Sequence, residues 1–239
     1  MDNVNDEVSL VVFPGAGSFG SEFRPLLKAF RPKAHLQRYS WRKGEARSQK
    51  GKTFDDAARF CAQQIQKTAP EQKILIGHSF GAFMAYATAL AMEGAGSVPL
   101  GLILIGAAAP HHVKPRPQPV TEMEIESYWN RVEPGLFDCC PDRTWKDLVI
   151  ETTRRDLELF QTFRKAKLGR LHCPAHAAAG DNDPLVSGPE CKHWARLVEG
   201  YFDYQSFPGG HSDFLGTDDF IEWVGTAITK LKGTNYVSE

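Results

Sequence analysis

The chain has 239 residues, 42% of them hydrophobic, enough for one α/β domain with a full core. It carries 28 Lys and Arg against 29 Asp and Glu, for a net charge of −1, so neither a polyanion-binding nor a strongly acidic protein is indicated overall. Five cysteines (Cys61, Cys139, Cys140, Cys173, Cys191) make an odd count with no disulfide framework and no metal-ligand spacing. The first seven residues are acidic where a secretory leader is basic, and no apolar run reaches the length of a membrane span, the longest being Leu100 to Ala109. These features predict a soluble cytoplasmic protein.

Strand and helix patterns alternate. Ser9 to Phe13 reads as a strand that ends in the turn signal Pro14-Gly15-Ala16-Gly17. A helical pattern spans Glu22 to Phe30, and His35 to Tyr39 alternates as a strand before a basic loop from Trp41 to Thr53. Thr53 to Thr68 places Phe54, Ala57, Ala58, Cys61 and Ile65 on one helical face, with Thr53 as its cap. Ile74 to Ile76 is a buried strand, and Ala82 to Met92 an Ala-rich helix free of Pro and Gly. Further strands follow at Leu100 to Ile105, Cys173 to Ala179 and Tyr201 to Phe207, and Asp218 to Lys232 closes as an amphipathic helix. The repeated βα units imply one domain over residues 1–239, a mostly parallel sheet with helices on both faces. Between Pro110 and Arg170 the alternation stops. A Pro-rich entrance leads into helical patterns at Glu122 to Val132, Arg143 to Thr152 and Arg154 to Lys167, predicting a helical insertion that covers the site as a lid. Of its bulky residues, Tyr128, Trp129, Leu136, Phe137, Trp145, Leu148, Phe160 and Phe163 are candidates to line an acyl pocket or to fasten the lid to the core.

The joint between the third strand and its helix reads Gly77-His78-Ser79-Phe80-Gly81, a G-x-S-x-G pattern in the context of a nucleophile elbow. A serine there stands on a tight turn, clear of the backbone, with a helix N-terminus behind it for developing negative charge. In hydrolases with this elbow an acid and then a histidine follow in chain order. His211 follows the last strand in Pro208-Gly209-Gly210-His211, where parallel sheets present reactive groups. Asp181 and Asp183 both follow the preceding strand. Placement three residues past Gly180 favours Asp183, while Asp181 suits a turn-forming role. The oxyanion donors expected are the N–H groups of Phe80 and Ala16, each of a kind worth about 3 kcal/mol of transition-state stabilisation. These elements predict an α/β-hydrolase fold with a Ser79–His211–Asp183 triad, and the chemistry requires no cofactor and no metal.

Together the motifs resemble the type II, or editing, thioesterases that accompany polyketide synthases and nonribosomal peptide synthetases. Phe13-Pro14-Gly15-Ala16-Gly17 is similar to that family's first turn, Gly77-His78-Ser79-Phe80-Gly81-Ala82 to its elbow, and Arg154-Arg155-Asp156 with Phe160 to its lid helix. Cys173-Pro174 through Gly180-Asp181-Asn182-Asp183-Pro184 resembles its acid loop, and Gly209-Gly210-His211 its histidine turn. Ser18, Phe80 and Ser212-Asp213 depart from the usual residues, and Ser40 to Glu45 replaces a Pro-Gly-Arg segment. The resemblance implies a monomeric enzyme that clears stalled acyl groups from the phosphopantetheine thiol of acyl or peptidyl carrier proteins, with no nucleic acid or membrane partner. A medium-chain thioesterase of fatty-acid synthesis and a small-molecule carboxylesterase share the triad, and a catalytically idle carrier-binding module is a rival of another class.

Charge is distributed unevenly. Arg24 to Lys52 holds ten basic residues and one acid, a local balance of +9 against −10 elsewhere. The bland reading is a solvated helix and loop; since the resemblance implies an acidic carrier as partner, the segment is also the candidate surface for docking it, or for meeting the phosphate of its prosthetic arm. Replacing Arg42, Lys43 and Arg47 by Glu should lower kcat/KM on acyl-carrier substrates and flatten its salt dependence, leaving a short neutral acyl thioester unaffected. Equal losses on both substrates, or none on either, would remove the segment from any docking role.

Overall fold

The computed structural model describes residues 8–31, 33–37, 53–68, 72–113, 121–139, 141–163 and 168–233. Six strands form one sheet: β1 (Val8–Phe13), β2 (Ala34–Leu36), β3 (Gln72–His78), β4 (Gly101–Ile105), β5 (Ala175–Gly180) and β6 (Phe202–Phe207). Their order is β2-β1-β3-β4-β5-β6, and every neighbouring pair is parallel. The helices are α1 (Arg24–Ala29), α2 (Phe54–Gln66), α3 (Phe80–Gly94), α4 (Glu122–Val132), α5 (Arg143–Gln161), α6 (Gly188–Lys192) and α7 (Asp218–Gly233).

Alternation along the strands divides the core in two. Val11, Phe13, Leu75, Leu102 and Leu104 point to the face covered by α2 and α3. Leu10, Val12, Ile74, Ile76, Ile103 and Ile105 point to the opposite face, where Phe220, Val224, Ala227 and Leu231 of α7 and Leu26 of α1 meet them. Both faces being covered, β1 and β4 are buried along their whole length, as parallel strands require. The short edge strand β2 and the edge strand β6 are only partly buried.

Local chemistry accounts for the helix starts. Thr53 caps α2 and Thr121 caps α4, each in a capping box with the acid at the third helical position. Asp142 caps α5 by accepting from the Trp145 N–H. The predicted helices Arg143 to Thr152 and Arg154 to Lys167 are a single helix ending at Gln161. Nothing at Thr153 breaks it, because that hydroxyl donates back to the Val149 carbonyl within the helix. The predicted strand His35 to Tyr39 is shorter, with Leu36 its last residue. Tyr39, the loop from Trp41 to Lys52, the prolines at 115, 117 and 119, and residues 164–167 lie outside the described residues. The described part of the basic segment contributes Arg24, Lys28, Arg31 and Lys33.

Helices α4 and α5 fall between β4 and β5, with no strand among the described residues of that interval. Ile125, Trp129 and Val132 of α4 pack on Val149 and Ile150 of α5 in a cluster of their own. The far half of α5 is bound differently, with Leu157 buried in the main core and Phe160 against Phe80 and Phe83 of α3.

Helix α3 runs unusually close to the sheet. It is apolar nearly all round, and Ala82, Ala85 and Ala89 are fully buried, as suits a helix enclosed by the fold. At its first turn the approach is backbone to backbone. A Cβ on Gly81 would lie 2.1 Å from the Phe13 carbonyl oxygen, and one on Gly77 would lie 2.3 Å from the Gly81 carbonyl oxygen. Neither neighbour is a side chain that can turn aside. Gly81→Ala should therefore cost about 1–3 kcal/mol, read as a lower denaturation midpoint with an unchanged m-value. Wild-type stability in that variant would mean that helix and strand are not held at this spacing.

Candidate active site

Four loops at the carboxyl ends of the parallel strands converge: the turn after β1, the β3–α3 joint, and the loops after β5 and β6. Ser79 occupies the joint with φ 55° and ψ −121°, the one non-glycine residue at positive φ among the described residues. The strain is offset by its surroundings, since the Ser79 N–H donates to the Ile105 carbonyl at 2.8 Å and α3 begins at the next residue. Phe80 thus places its N–H in the first turn of α3, at the positive end of the helix.

His211 Nδ1 lies 2.7 Å from Asp183 Oδ2, and both side chains are shut away from solvent. A carboxylate only accepts, so Nδ1 carries the proton and Nε2 keeps its lone pair. The other Asp183 oxygen accepts from the Leu185 and Val186 N–H groups, at 2.8 and 3.2 Å, which aims the carboxylate. Asp181 is exposed and contributes its backbone N–H to the Phe207 carbonyl. Of the two acids, the structure brings Asp183 to the imidazole and leaves Asp181 in the turn. Burial is the largest influence on His211; with the His78 charge it outweighs Asp183 and holds the imidazole below its ordinary value.

His211 and Ser79 line a common cavity of about 260 Å³. His211 Nε2 makes no hydrogen bond among the described residues, so the contact to the serine is open in this state. Catalytic hydrogen bonds of this kind commonly close only around substrate. Tyr128 of α4 lines the same cavity, and burial pushes its phenol up to about 12, with the Ser79 hydroxyl opposing. Tyr128 is legible in the sequence as a bulky lid residue, but its place in the serine's cavity depends on how α4 is laid over the elbow. The other walls are Trp129, Val132, Leu136, Trp145 and Val149. Among the remaining candidate pocket residues, Phe160 and Phe163 pack with Phe54 and Phe83, Phe137 joins the α4–α5 cluster, and Leu148 is exposed.

The turn after β1 is held from both sides. Gly15 N–H donates to Glu22 at 3.1 Å, and Gly17 N–H donates to Asp156 of α5 at 2.8 Å. Ala16 lies between them, lines the cavity, and its N–H has no acceptor among the described residues. Two carboxylates thus fix the turn on either side of its middle amide. Burial raises the Glu22 carboxyl, but His78, the Ser18 hydroxyl and the Gly15 N–H together hold it below its usual range. Ser18 in place of a second glycine accordingly has a function in the turn, bonding Glu22 and accepting from the Gly20 N–H. On the other side, a Cβ on Gly17 would fall 2.0 Å from Thr153 Oγ1, which also accepts from the Trp129 indole N–H at 2.9 Å.

His78 faces away from the serine hydroxyl. Its Nε2 lies 3.0 Å from the His211 carbonyl, to which it donates, and its Nδ1 is 3.9 Å from Glu22. It buttresses the histidine loop from behind. Asp213 acts similarly, accepting from the Gly210 N–H at 2.8 Å. Glu22 carried no sequence signal for this site; Asp156 stood in the Arg154-Arg155-Asp156 pattern, but its partner Gly17, 139 residues away, was not legible there. Three acids, Glu22, Glu133 and Asp213, stand in the cavity lining. Burial and the charges of Glu22 and Asp213 raise the Glu133 carboxyl.

The His211 environment has a measurable sign. Burial depresses its pKa and Asp183 opposes that depression, so an NMR titration should place His211 below the ordinary value of about 6.5. Asp183→Asn should lower it further, by removing the one adjacent carboxylate. A rise in Asp183→Asn, or an unperturbed His211 in the wild type, would contradict the geometry.

A family model described as the thioesterase domain matches residues 8–228. The probable cadicidin biosynthesis thioesterase of Streptomyces griseus is 25% identical over 209 residues, covering 86% of this chain and 58% of that protein. Thioesterase PikA5 of Streptomyces venezuelae is 26% identical over 216 residues, covering 87% of this chain and 75% of that protein. The chain therefore spans under two thirds of the first of these relatives and three quarters of the second. In architecture it is similar to RedJ, a thioesterase from the prodiginine biosynthetic pathway in Streptomyces coelicolor, with a TM-score of 0.81, 23% identity and coverage of 94% of this chain and 87% of that one. The type II thioesterase BorB, from the borrelidin biosynthetic cluster, gives a TM-score of 0.79 at 23% identity, covering 92% and 91%. With the family model matching nearly its whole length, the chain belongs to the thioesterase-domain family.

Proposed function

We propose that this protein is a serine thioesterase that hydrolyses stalled or aberrant acyl groups from the phosphopantetheine thiol of carrier proteins in polyketide or nonribosomal peptide assembly. The observation that carries the reading is the buried Asp183–His211 pair, 2.7 Å apart, sharing a cavity with a serine on a strained elbow. Membership of the thioesterase family and likeness to enzymes named for antibiotic biosynthesis support the substrate class.

In this reading Ser79 Oγ attacks the thioester carbonyl while His211 Nε2 takes its proton, and Asp183 holds the imidazole in the required tautomer. The carbonyl oxygen, now an oxyanion, accepts from the Ala16 and Phe80 N–H groups. The C–S bond breaks as His211 returns the proton to the departing thiolate. Water, deprotonated by the same imidazole, then cleaves the acyl-serine and restores Ser79. The apolar wall of Trp129, Val132, Leu136, Trp145 and Val149 suits an apolar acyl chain. Helix α4 with the first half of α5 forms the part of the insertion able to act as a lid, since Asp156 and Leu157 anchor the remainder.

Two measurements test this. Intact mass should follow release of acyl groups from a panel of acylated carrier proteins, compared with matched oxygen esters. Ser79→Ala and Asp183→Asn should each lower kcat more than about 10³-fold, while Asp181→Asn stays within about tenfold of wild type. Faster turnover of the oxygen esters would make the protein a carboxylesterase. Activity surviving in Ser79→Ala would end the triad assignment.

A further inference from the structure

Outside the cavity of Ser79, three histidines from two distant segments meet. His111 and His112 lie in the short turn Pro110–His112 that follows β4 and opens the insertion. His193 follows α6, ten residues beyond Asp183. One ring nitrogen from each can be chosen so that all three lie within 4.8 Å of one another, and all three residues are half-buried. The His112 and His193 rings are stacked at 3.7 Å between centroids, and His111 stands edge-on to both. None of the three lines the catalytic cavity, and the triad does not use them. The catalytic assignment gives this convergence no role.

From this clustering we infer that His111, His112 and His193 form a binding site for a divalent transition-metal ion of the zinc class. Three neutral imidazoles are borderline donors that suit Zn²⁺, Ni²⁺ or Cu²⁺ and discriminate against Mg²⁺ and Ca²⁺, which require oxygen ligands. Three histidines also leave a fourth tetrahedral position for water or another ligand. Zn–N bonds of about 2.1 Å place tetrahedral nitrogens about 3.4 Å apart, so the present spacing must contract slightly. The His112 and His193 rings must also turn out of their stack to converge their in-plane lone pairs.

The site joins two parts of the architecture that matter to catalysis. The segment after β4 and the α6 region already touch, through Ala109 N–H to the Glu190 carbonyl at 3.2 Å and the Trp194 indole N–H to the Ala107 carbonyl at 2.8 Å. An ion held there ties the root of the insertion to the segment that follows the Asp183 loop, stabilising the folded state with the logarithm of its concentration over Kd.

The test titrates the full chain, stripped with EDTA, with Zn²⁺ by isothermal calorimetry and follows its thermal unfolding. The expected result is one Zn²⁺ per chain and a Tm raised by about 5 °C or more at about a hundredfold excess over Kd, with no shift from Mg²⁺ or Ca²⁺. The combined variant His111→Ala, His112→Ala and His193→Ala should lose that stoichiometric binding. His112→Gln, which keeps the volume of the side chain, should weaken it at least tenfold and provides the same comparison if the combined variant does not fold. Binding retained in these variants would place the ion elsewhere, and absence of binding tighter than about 100 μM in the wild type would overturn the site.

Discussion

The first turn of α3 rests directly on the backbone at the end of β1, with no side chain between Gly81 and the Phe13 carbonyl. That contact sets the distance between the serine's elbow and the Pro14-Gly15-Ala16-Gly17 turn. The arrangement follows from the parallel sheet, because β1 and β3 are hydrogen-bonded neighbours and both end at the same edge. An oxyanion site made from two backbone amides requires this spacing. Neither amide has a side chain with which to correct a displacement of the main chain.

Three acids then hold what the backbone has placed. Glu22 grips Gly15, Asp156 grips Gly17, and Asp183 grips His211. Each is at least largely buried, where a charge is costly unless several donors face it. Glu22 and Asp183 meet that demand with multiple partners, among them the backbone amides they position. Desolvation and hydrogen bonding therefore act together: exclusion of water strengthens these bonds and lowers the His211 pKa, which favours the neutral imidazole.

The insertion is mechanically heterogeneous. Its last helix is bolted to the core through Asp156, Leu157 and Phe160, and stands against Gly17 of the turn after β1 through Thr153. Its first helix shares a smaller cluster with the start of α5 and brings Tyr128 into the serine's cavity. One helix can therefore carry both a fixed support and one wall of the cavity. The histidine cluster lies at the point where this insertion leaves the sheet.

Much of this was legible in the chain itself. Uninterrupted apolar runs such as Ile74 to Ile76 and Leu102 to Ile105 marked the strands, because a parallel strand covered on both faces must be apolar throughout. Gly77-His78-Ser79-Phe80-Gly81 announced its turn because a local steric demand leaves a local pattern. The strand after Ala34 was read too long, and α5 was read as two helices, since polarity around Thr152 to Arg155 imitates a break while hydrogen bonding does not stop there. What the sequence could narrow but not decide was Asp181 against Asp183, adjacent acids in one loop, which differ only in which one is turned toward an imidazole 28 residues away. Glu22 left no signal, the Arg154-Arg155-Asp156 pattern did not say which group Asp156 meets, and the meeting of His111 and His112 with His193 left no signal either. Those contacts join segments with no fixed separation in sequence, so only the packed tertiary structure determines which donor meets which acceptor.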